Sequence, residues 1–327
     1  MGSRLKILTW DVDPVFLDHL SYANVDIFVP LSMDSGDRFA RIPAGRKNVI
    51  AVRPEDVRTI DFDCILFQSP RNYLIDQHIL LSPVQHLIPK LYLEHEPPHI
   101  APACTSHIVD DPDMILIHVS DYNRLMWDNN HTPTYVIEPA MVDNGAEYTG
   151  ELDRGIVVFD RLPLRERDAG MDILNEVRNR VPLDIVGRGS KEIGGLGEIP
   201  ADELSGFMSR YRFYFNPGRY SSLPDSLLRA VRMGMPVVAL PVCGITSVIV
   251  NDDAGFLSAD VTQLVSTMKR WIETPSHGER ECTQAQAIAR ERFGIDRFTR
   301  EWEQMFRKAA SRSYPPGHFS EILRHQS

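Results

Sequence analysis

The sequence predicts an α/β protein built from two doubly wound, Rossmann-like domains that face each other across a cleft. Three observations lead to this prediction. Short apolar runs rich in β-forming residues alternate with segments of helical periodicity. These runs are continuously apolar, as expected of parallel strands that are covered on both faces. The alternation restarts once after a polar stretch, and 327 residues correspond to about two domains at roughly 150 residues each.

The first series of elements begins at Leu5–Trp10, and a second apolar run is closed by Pro30. Later runs end in turn-forming residues, which is typical of strands that lead into loops. A helix is predicted around Arg124–Trp127. The predicted strands of this half are residues 5–10, 25–30, 62–67, 89–95, 114–119 and 134–137.

The polar stretch Asp143–Glu151 is the predicted linker, after which strands and helices alternate again. The predicted strands are residues 155–159, 183–186, 212–217 and 236–240, and the predicted helices are residues 171–181, 201–209, 226–233, 261–273 and 296–310. We therefore expect domains over residues 1–148 and 149–300, followed by a C-terminal helix and tail over residues 301–327.

Composition and charge argue against several classes of protein. A net charge of −10 is unfavourable for broad nucleic-acid binding, which requires clustered Lys and Arg. No apolar run approaches the roughly 18 residues that span a bilayer, and the N-terminus lacks the apolar segment of a secretory signal. We therefore expect a cytoplasmic protein with no transmembrane segment. The four cysteines are widely spread, which argues against a zinc site or a redox pair.

The second half carries several motifs in a characteristic order. In chain order they are Asp184–Gly189, Gly197–Pro200, Tyr214–Pro217, Ser226–Val238 and Asn251–Leu257. Ile7–Trp10 and Tyr92–Pro98 of the first half match the same family more loosely. The chain thus resembles the group 1 retaining glycosyltransferases, which have the GT-B fold, and the likeness covers most of its length.

The resemblance implies that residues 149–300 bind a nucleotide diphosphate sugar and that residues 1–148 form the acceptor side. Members of the family without a bound metal neutralise the leaving diphosphate with basic side chains and backbone amides. Asp, His and Cys show no metal-ligand spacing in this sequence. We therefore expect no essential metal and no cofactor besides the donor substrate.

Arg161, Arg165 and Arg167 follow the first strand of the second half and resemble the basic pair that grips the diphosphate in the family. Gly187 and Gly189 end the next strand, where the missing side chain allows the backbone to approach a ligand. A solvated charged loop and a tight turn are the respective alternatives.

His95 matches a family histidine near the donor sugar and is the candidate catalytic residue. A structural histidine at the end of a strand is the alternative. Glu198, Ile199 and Pro200 match the stretch whose backbone contacts the nucleobase, and a plain surface loop is equally compatible with them.

Asp11, Asp13 and Glu96 follow predicted strands of the first half and are candidates for contact with the acceptor. Helix capping or turn formation explains the two aspartates at least as well, because a short carboxylate accepts hydrogen bonds from nearby backbone N–H groups.

The donor motif departs from the family. The family's donor motif is a glutamate, seven residues and a second glutamate that holds the ribose hydroxyls. When the chain is aligned on Ala230, Gly234 and Pro236, the first glutamate falls on Ser221 and the second on Arg229. A carboxylate acceptor is therefore replaced by a permanently charged donor. We expect Arg229 either to contact a donor phosphate or to pair with Asp225 and close the pocket.

The loop between these positions contains Ser222, Leu223 and Pro224, and Pro224 stands where the family has glycine. Proline has no backbone N–H that could face a phosphate. Ser221 to Pro224 therefore form a donor loop that differs from the family in both its side chains and its backbone donors.

The function that the resemblance implies is transfer of a sugar from a nucleotide diphosphate donor to a glycan or small-molecule acceptor, with retention at the anomeric carbon. The departures favour a second possibility, a catalytically silent relative that binds a sugar nucleotide or serves as a partner subunit. A sugar-nucleotide epimerase of the same fold is a third. Donor sugar, nucleobase, acceptor and oligomeric state have no signature in the sequence.

Overall fold

A computed structural model describes residues 4–31, 45–142, 145–159, 167–249, 255–274 and 282–311. The chain divides into two compact units. The first unit comprises Met1–Val119, Asn123–Pro139 and Phe298–Ser327, and the second comprises Ser120–Tyr122 and Ala140–Arg297.

The first unit is built on a seven-stranded parallel sheet of order β3-β2-β1-β4-β5-β6-β7. Its strands are β1 (Leu5–Thr9), β2 (Val25–Pro30), β3 (Val49–Val52), β4 (Cys64–Phe67), β5 (Lys90–Glu94), β6 (Ile115–His118) and β7 (Thr134–Val136). All four side chains of β4 and of β6 are buried, as the continuous apolar runs predict. β3 is not predicted from the sequence, because only its two end residues are buried and it is short.

The second unit contains a five-stranded parallel sheet of order β12-β11-β10-β8-β9. Its strands are β8 (Leu152–Phe159), β9 (Leu183–Gly187), β10 (Tyr211–Asn216), β11 (Val237–Ala239) and β12 (Gly255–Leu257). The predicted arrangement of two separate parallel sheets is therefore confirmed. β8 begins three residues before the predicted strand, because Leu152 already pairs with Tyr211.

Helices flank both sheets. They are α1 (Pro14–Leu20), α2 (Gln77–Leu80), α3 (Asp121–Met126), α4 (Met171–Arg178), α5 (Ala201–Met208), α6 (Asp225–Arg232), α7 (Val261–Glu273), α8 (Cys282–Arg292) and α9 (Ile295–Ala310). A π-helical turn at Asn72–Asp76 leads directly into α2. The predicted bounds of α7 are those observed, while α1, α2 and α8 are additional to the predicted helices.

The two ends of the second unit differ from the predicted domain boundaries. The unit begins at Ala140 rather than 149, because Met141 lies in its core and donates its backbone N–H to Phe293. The described part of the predicted linker, residues 145–151, contacts the same unit, where the Tyr148 hydroxyl donates to the carbonyl of Arg212.

The C-terminal helix α9 begins before the predicted boundary at residue 301. From Phe298 onward the chain belongs to the first unit, because the rings of Phe298 and Trp302 pack edge-on against Phe16 of α1. Residues 312–327 of the predicted tail lie outside the described residues.

Each sheet reverses its strand order at one point, and ligands of doubly wound sheets bind beyond the carboxyl ends of the strands at such points. In the first sheet the reversal lies between β1 and β4, and in the second between β8 and β10. The segments after these four strands are therefore where functional side chains are expected in each unit.

Candidate functional site

Gln68, which follows β4, connects the two strands at the reversal point of the first sheet. Its side-chain amide donates to the Thr9 hydroxyl over 2.8 Å and to the carbonyl of Trp10 over 2.9 Å. The Thr9 hydroxyl in turn donates to the carbonyl of Leu66. Because a backbone carbonyl only accepts hydrogen bonds, these contacts fix the orientation of the amide. Sequence reasoning missed Gln68, whose partners are far away in the chain.

His95, which follows β5, is held by the same network. Its Nε2 lies 3.2 Å from Oε1 of Gln68, and that oxygen can only accept. The proton of the neutral ring is therefore on Nε2, and Nδ1 carries a lone pair that lies 3.8 Å from a carboxylate oxygen of Asp13. Burial lowers the pKa of His95, although Asp13 and Glu94 act in the opposite direction. The site thus holds a neutral imidazole with one acceptor nitrogen.

Of the predicted acceptor-side residues, Asp13 lies 3.8 Å from His95 and Glu96 follows it in the chain. Asp13 is the N-cap of α1 and accepts from the backbone N–H groups of Val15 and Phe16, so the capping interpretation is confirmed. Asp11 is half-buried directly after β1. Glu96 is also half-buried, and its carbonyl accepts from the indole N–H of Trp127.

Two further histidines of this edge were not predicted. His107 is buried, and its Nε2 lies 3.2 Å from a carboxylate oxygen of Glu94, while its Nδ1 accepts from the backbone N–H of Val109. His118 is completely buried at the end of β6, with Nε2 2.7 Å from Oδ1 of Asn129. Burial lowers the pKa of His118 to about 4. Both rings are therefore structural parts of the edge that carries His95.

At the reversal point of the second sheet, two arginines converge on one carboxylate. Arg219 follows β10 and grips Asp172 of α4 through both of its terminal nitrogens, at 2.5 and 2.8 Å. Arg167 approaches the same carboxylate at 3.3 Å, and its carbonyl accepts from Arg219. Hydrogen bonding from Arg219 lowers the pKa of Asp172 to about 2. Arg219 therefore fastens the loop of Arg167 to the start of α4.

Of the three predicted diphosphate-binding arginines, the structure describes Arg167 alone. Arg161 and Arg165 lie outside the described residues. The Arg167 side chain is 79% exposed, so its guanidinium is accessible despite its contact with Asp172. Arg219 was not identified from the sequence, because it lies in the loop after β10 without any basic neighbour that would mark it.

Gly187 and Gly189 both have positive φ angles, of 116° and 81°. A Cβ atom on Gly187 would lie 1.8 Å from the carbonyl oxygen of Phe159 on the neighbouring strand. Gly187 is thus required by packing between β8 and β9, which is a structural reason for its presence independent of any ligand. Gly189 is the N-cap of a short 3-10 helix and is compatible with the tight-turn interpretation.

The predicted nucleobase segment connects β9 with α5. Glu198 is exposed and lies 3.5 Å from Arg188, whereas Ile199 packs against the core of the second unit. Pro200 is the N-cap residue of α5, and its carbonyl accepts from the backbone of Glu203.

Arg229 makes the internal pair that is one of its two expected outcomes. Its Nε donates to Asp225 over 2.5 Å, and its Nη1 donates to the carbonyl of Ala201 and the hydroxyl of Ser205 at 3.1 and 2.9 Å. Its side chain is only 11% exposed. Arg229 therefore ties α6 to α5 through Nη1, while its Nε is bonded to Asp225 within α6.

The predicted donor loop precedes α6. Ser222 and Leu223 are buried, and Leu223 belongs to the core of the unit. The Ser221 hydroxyl donates to the carbonyl of Ser222, and Pro224 is the N-cap of α6. The Ser221 hydroxyl therefore makes a hydrogen bond within the loop itself.

Two kinds of feature are absent from the described part of the chain. Among those residues, no group of three or more His, Cys, Asp or Glu side chains is arranged to hold a metal ion. None of the described helices is both long and apolar enough to cross a membrane.

Residues 168–274 match the family model described as glycosyl transferases group 1. No curated protein matches the chain significantly. Among solved structures, the chain is similar to a sucrose-phosphate synthase from Thermosynechococcus elongatus, with a TM-score of 0.70 and 13% identity over 93% of this chain and 99% of that one. It is also similar to HepE of Anabaena in complex with UDP, with a TM-score of 0.69 and 17% identity over 94% and 100% of the two chains.

HepE in complex with UDP-glucose gives a TM-score of 0.67 with 16% identity over 93% of this chain and 100% of that one. These similarities confirm the predicted GT-B fold. The family match confirms the resemblance to group 1 glycosyltransferases. The matched segment, residues 168–274, begins at the residue after Arg167 and includes both Asp172 and Arg219.

Proposed function

We propose, from the group 1 glycosyl transferase domain at residues 168–274, that this chain transfers a sugar from a nucleotide diphosphate donor to a glycan or small-molecule acceptor. The observation that carries the proposal is this match, since it starts beside Arg167 and includes Arg219 at the reversal point of the second sheet. The proposed reaction retains the configuration of the anomeric carbon, as the family resemblance implies.

In this proposal the donor diphosphate is bound by the arginines of the second unit. Arg167 supplies an exposed guanidinium, and Arg161 and Arg165 belong to the same connection between β8 and α4. Arg219 is a positioning residue, because its bonds to Asp172 and to the carbonyl of Arg167 hold Arg167 beside the start of α4. Guanidinium groups neutralise the charge that develops on a leaving diphosphate.

His95 supplies a neutral ring at the edge of the first unit. Because Gln68 fixes the proton on Nε2, Nδ1 is an acceptor for a hydroxyl of the transferred sugar. A neutral acceptor orients a hydroxyl without adding positive charge beside an anomeric centre that becomes electron-poor. This is the role that we propose for His95.

A second candidate function is sugar-nucleotide binding without turnover. The observation that favours it is the Arg229–Asp225 pair, which occupies the position where the resemblance places a ribose-binding carboxylate. In that case the chain would act as a binding or partner subunit.

UDP-glucose is the first donor to test, because structures of HepE contain UDP-glucose and UDP. Binding measured by calorimetry, together with release of UDP in the presence of candidate acceptors, separates the two functions. If UDP-glucose binds and UDP is released, the result supports the transferase. If UDP-glucose binds but no acceptor leads to release of UDP, the result supports a binding subunit without turnover. Conversion of the free sugar nucleotide to an isomer would contradict both. A panel of other sugar nucleotides follows if UDP-glucose does not bind.

The arginine assignment has a matched control within the same sheet. Arg167→Ala is expected to weaken donor binding by about ten- to a hundredfold, the equivalent of one hydrogen bond to a charged group. Arg154, near the amino end of β8, also pairs with an aspartate, Asp184, at 2.7 Å. Arg154→Ala should leave donor affinity unchanged, and equal losses in the two variants would refute the assignment.

A further inference from the structure

Two segments of the second unit contact the loop that carries Arg219. One is Ser120–Tyr122, at the start of α3, which belongs to this unit. The other is a short 3-10 helix over Cys243–Ser247, which follows β11. Each segment contributes one side chain to the contact, Tyr122 from the first and Cys243 from the second. We refer to these two residues as the tyrosine–thiol pair.

The thiol of Cys243 connects Tyr122 with the backbone of Arg219. Its Sγ lies 3.3 Å from the carbonyl oxygen of Arg219, and the thiol is the donor because a carbonyl only accepts. The Tyr122 hydroxyl is hydrogen-bonded to the same thiol. Burial raises the pKa of Tyr122, and Cys243 raises it further, so the phenol keeps its proton and donates it to the sulfur. A chain of hydrogen bonds thus runs from Tyr122 through Cys243 to Arg219.

The ring of Tyr122 makes a second contact, with the residue that follows Arg219. It packs edge-on against the ring of Tyr220, with the centroids 6.4 Å apart, and both rings are half-buried. Such edge-to-face pairs are favourable beyond the apolar area that they bury. The tyrosine–thiol pair therefore reaches both residues that the Arg219–Tyr220 peptide joins.

This peptide group has one further anchor. The backbone N–H groups of Arg219 and Tyr220 both donate to the carbonyl of Asp168, over 2.7 and 3.3 Å. The N–H of the peptide is that of Tyr220, which makes the longer bond, and the carbonyl of the same peptide is held by Cys243. Without the thiol this peptide would be free to rotate on its carbonyl side. Its movement would loosen the guanidinium of Arg219 from Asp172.

The backbone of Cys243 has a conformation that favours glycine. Its φ angle is 55°, in the left-handed region. Gly244 and Ile245 are buried, and a Cβ atom on Gly244 would lie only 3.0 Å from the side chain of Leu223, so the 3-10 helix has little room to shift. Backbone conformation alone would therefore be better served by glycine at position 243. Strained residues of this kind concentrate at functional sites.

We propose that the tyrosine–thiol pair positions the donor-binding loop by holding the peptide between Arg219 and Tyr220. The inference rests on the proposed function, because it assigns the pair to the diphosphate site of the second unit. Neither member of the pair contacts the donor in this assignment. The pair acts through Arg219, whose guanidinium holds Arg167 beside the start of α4.

The test compares Cys243→Ala with Cys243→Ser, because both side chains tolerate the positive φ angle to a similar degree and only serine keeps a donor. Hydrogen exchange of the Arg219 and Tyr220 amides is measured first, without any ligand. It should be about three- to tenfold faster in Cys243→Ala, the equivalent of one neutral hydrogen bond, and within about twofold of the unaltered chain in Cys243→Ser. The affinity for UDP-glucose, measured by calorimetry, should fall by the same factors in the same order. Tyr122→Phe keeps the ring contact and should show a smaller change in the same direction.

Cys104→Ala is the matched control, because Cys104 is an exposed cysteine of the first unit. It should change neither hydrogen exchange at residues 219 and 220 nor donor affinity. Cys243→Gly removes the thiol but relieves the positive φ angle, so it should unfold at an equal or higher temperature and still bind UDP-glucose more weakly. A residue with a merely structural role would lose stability and binding together.

The inference is overturned if Cys243→Ala leaves exchange and affinity unchanged, or if Cys243→Ser loses as much of both as Cys243→Ala. Failure of the proposed function has a different signature, in which the unaltered chain binds no sugar nucleotide. Faster exchange in Cys243→Ala, but not in Cys243→Ser, would in that case still support the hold of the pair on the peptide.

Discussion

Arg229 and Asp225 lie one turn apart on α6, and Nε of the arginine donates to Oδ2 of the aspartate over 2.5 Å. The remaining bonds of this guanidinium go to Ala201 and Ser205 of α5, more than twenty residues away in the chain. The position that resembles a ribose-binding carboxylate is therefore occupied by a cation whose donors serve the protein itself. This arrangement makes a definite prediction about donor affinity.

We predict that Arg229→Glu strengthens binding of UDP-glucose by about tenfold. The new carboxylate is an acceptor for ribose hydroxyls, and one hydrogen bond to a charged group corresponds to roughly this factor. Calorimetry on the unaltered and variant chains measures the change. Arg229→Gln is the control, because it removes the same pair without adding a carboxylate, and it should not strengthen binding. Weaker binding of Arg229→Glu would indicate instead that Arg229 contacts a donor phosphate.

The tautomer of His95 can be tested directly. Long-range proton–nitrogen spectra at neutral pH should show a neutral ring with its proton on Nε2, because Oε1 of Gln68 lies 3.2 Å from that atom. Gln68→Glu places a carboxylate beside the ring and should raise the pKa of His95 from its lowered value. Transfer activity at neutral pH should then fall as the ring becomes protonated. An Nδ1 proton in the native chain would disprove the proposed role of Gln68.

Stability should fall in mild acid because of His118. Its pKa is about 4 in the folded chain and 6.5 without the fold, so the unfolded state binds more protons between these values. The neutral ring contributes fully to the free energy of unfolding above about pH 6.5. This contribution is lost as the pH falls toward 4, so that the free energy of unfolding decreases by up to about 1.4 kcal/mol per pH unit. Urea unfolding at several pH values measures this slope.

His118→Gln should flatten this dependence, even if it lowers stability at neutral pH. His95 contributes in the same direction and is present in both chains, so the difference between the two curves isolates His118. Parallel curves for the two chains would exclude His118 as a source of the acid sensitivity.

Gly187→Ala is expected to unfold the second unit or to lower its melting temperature strongly. The φ angle of 116° disfavours any side chain, and the new Cβ would lie 1.8 Å from the carbonyl oxygen of Phe159. Gly206 of α5 is the matched control, because a Cβ atom there would project into open space among the described residues. Gly206→Ala should stabilise the helix by about 0.5–1 kcal/mol. A similar melting temperature for both variants would contradict the packing argument.

Much of the fold is encoded locally and can be predicted from short stretches of sequence. The run at residues 64–67 is a buried strand because it is continuously apolar, and α7 has the predicted bounds because its apolar residues follow a helical period. The capping role of Asp13 follows from a short carboxylate placed before Pro14 and an apolar segment. Short elements such as β3 escape prediction, since four residues with two exposed side chains carry too weak a pattern.

By itself, then, the sequence determined two parallel sheets, their order in the chain and the sheet edges at which the candidate site residues lie, because these depend on periodicity and on residues close in the chain. Only the tertiary structure decided which partners those residues contact. It brought Gln68 to His95, Arg219 to Asp172, and Arg229 to Ser205. The physical reason is that hydrogen-bond partners and burial are properties of positions in space. The same order of charged residues allows an arginine to bind a ligand or to pair with an aspartate of its own chain. Packing in the folded protein decides which of the two partners it has.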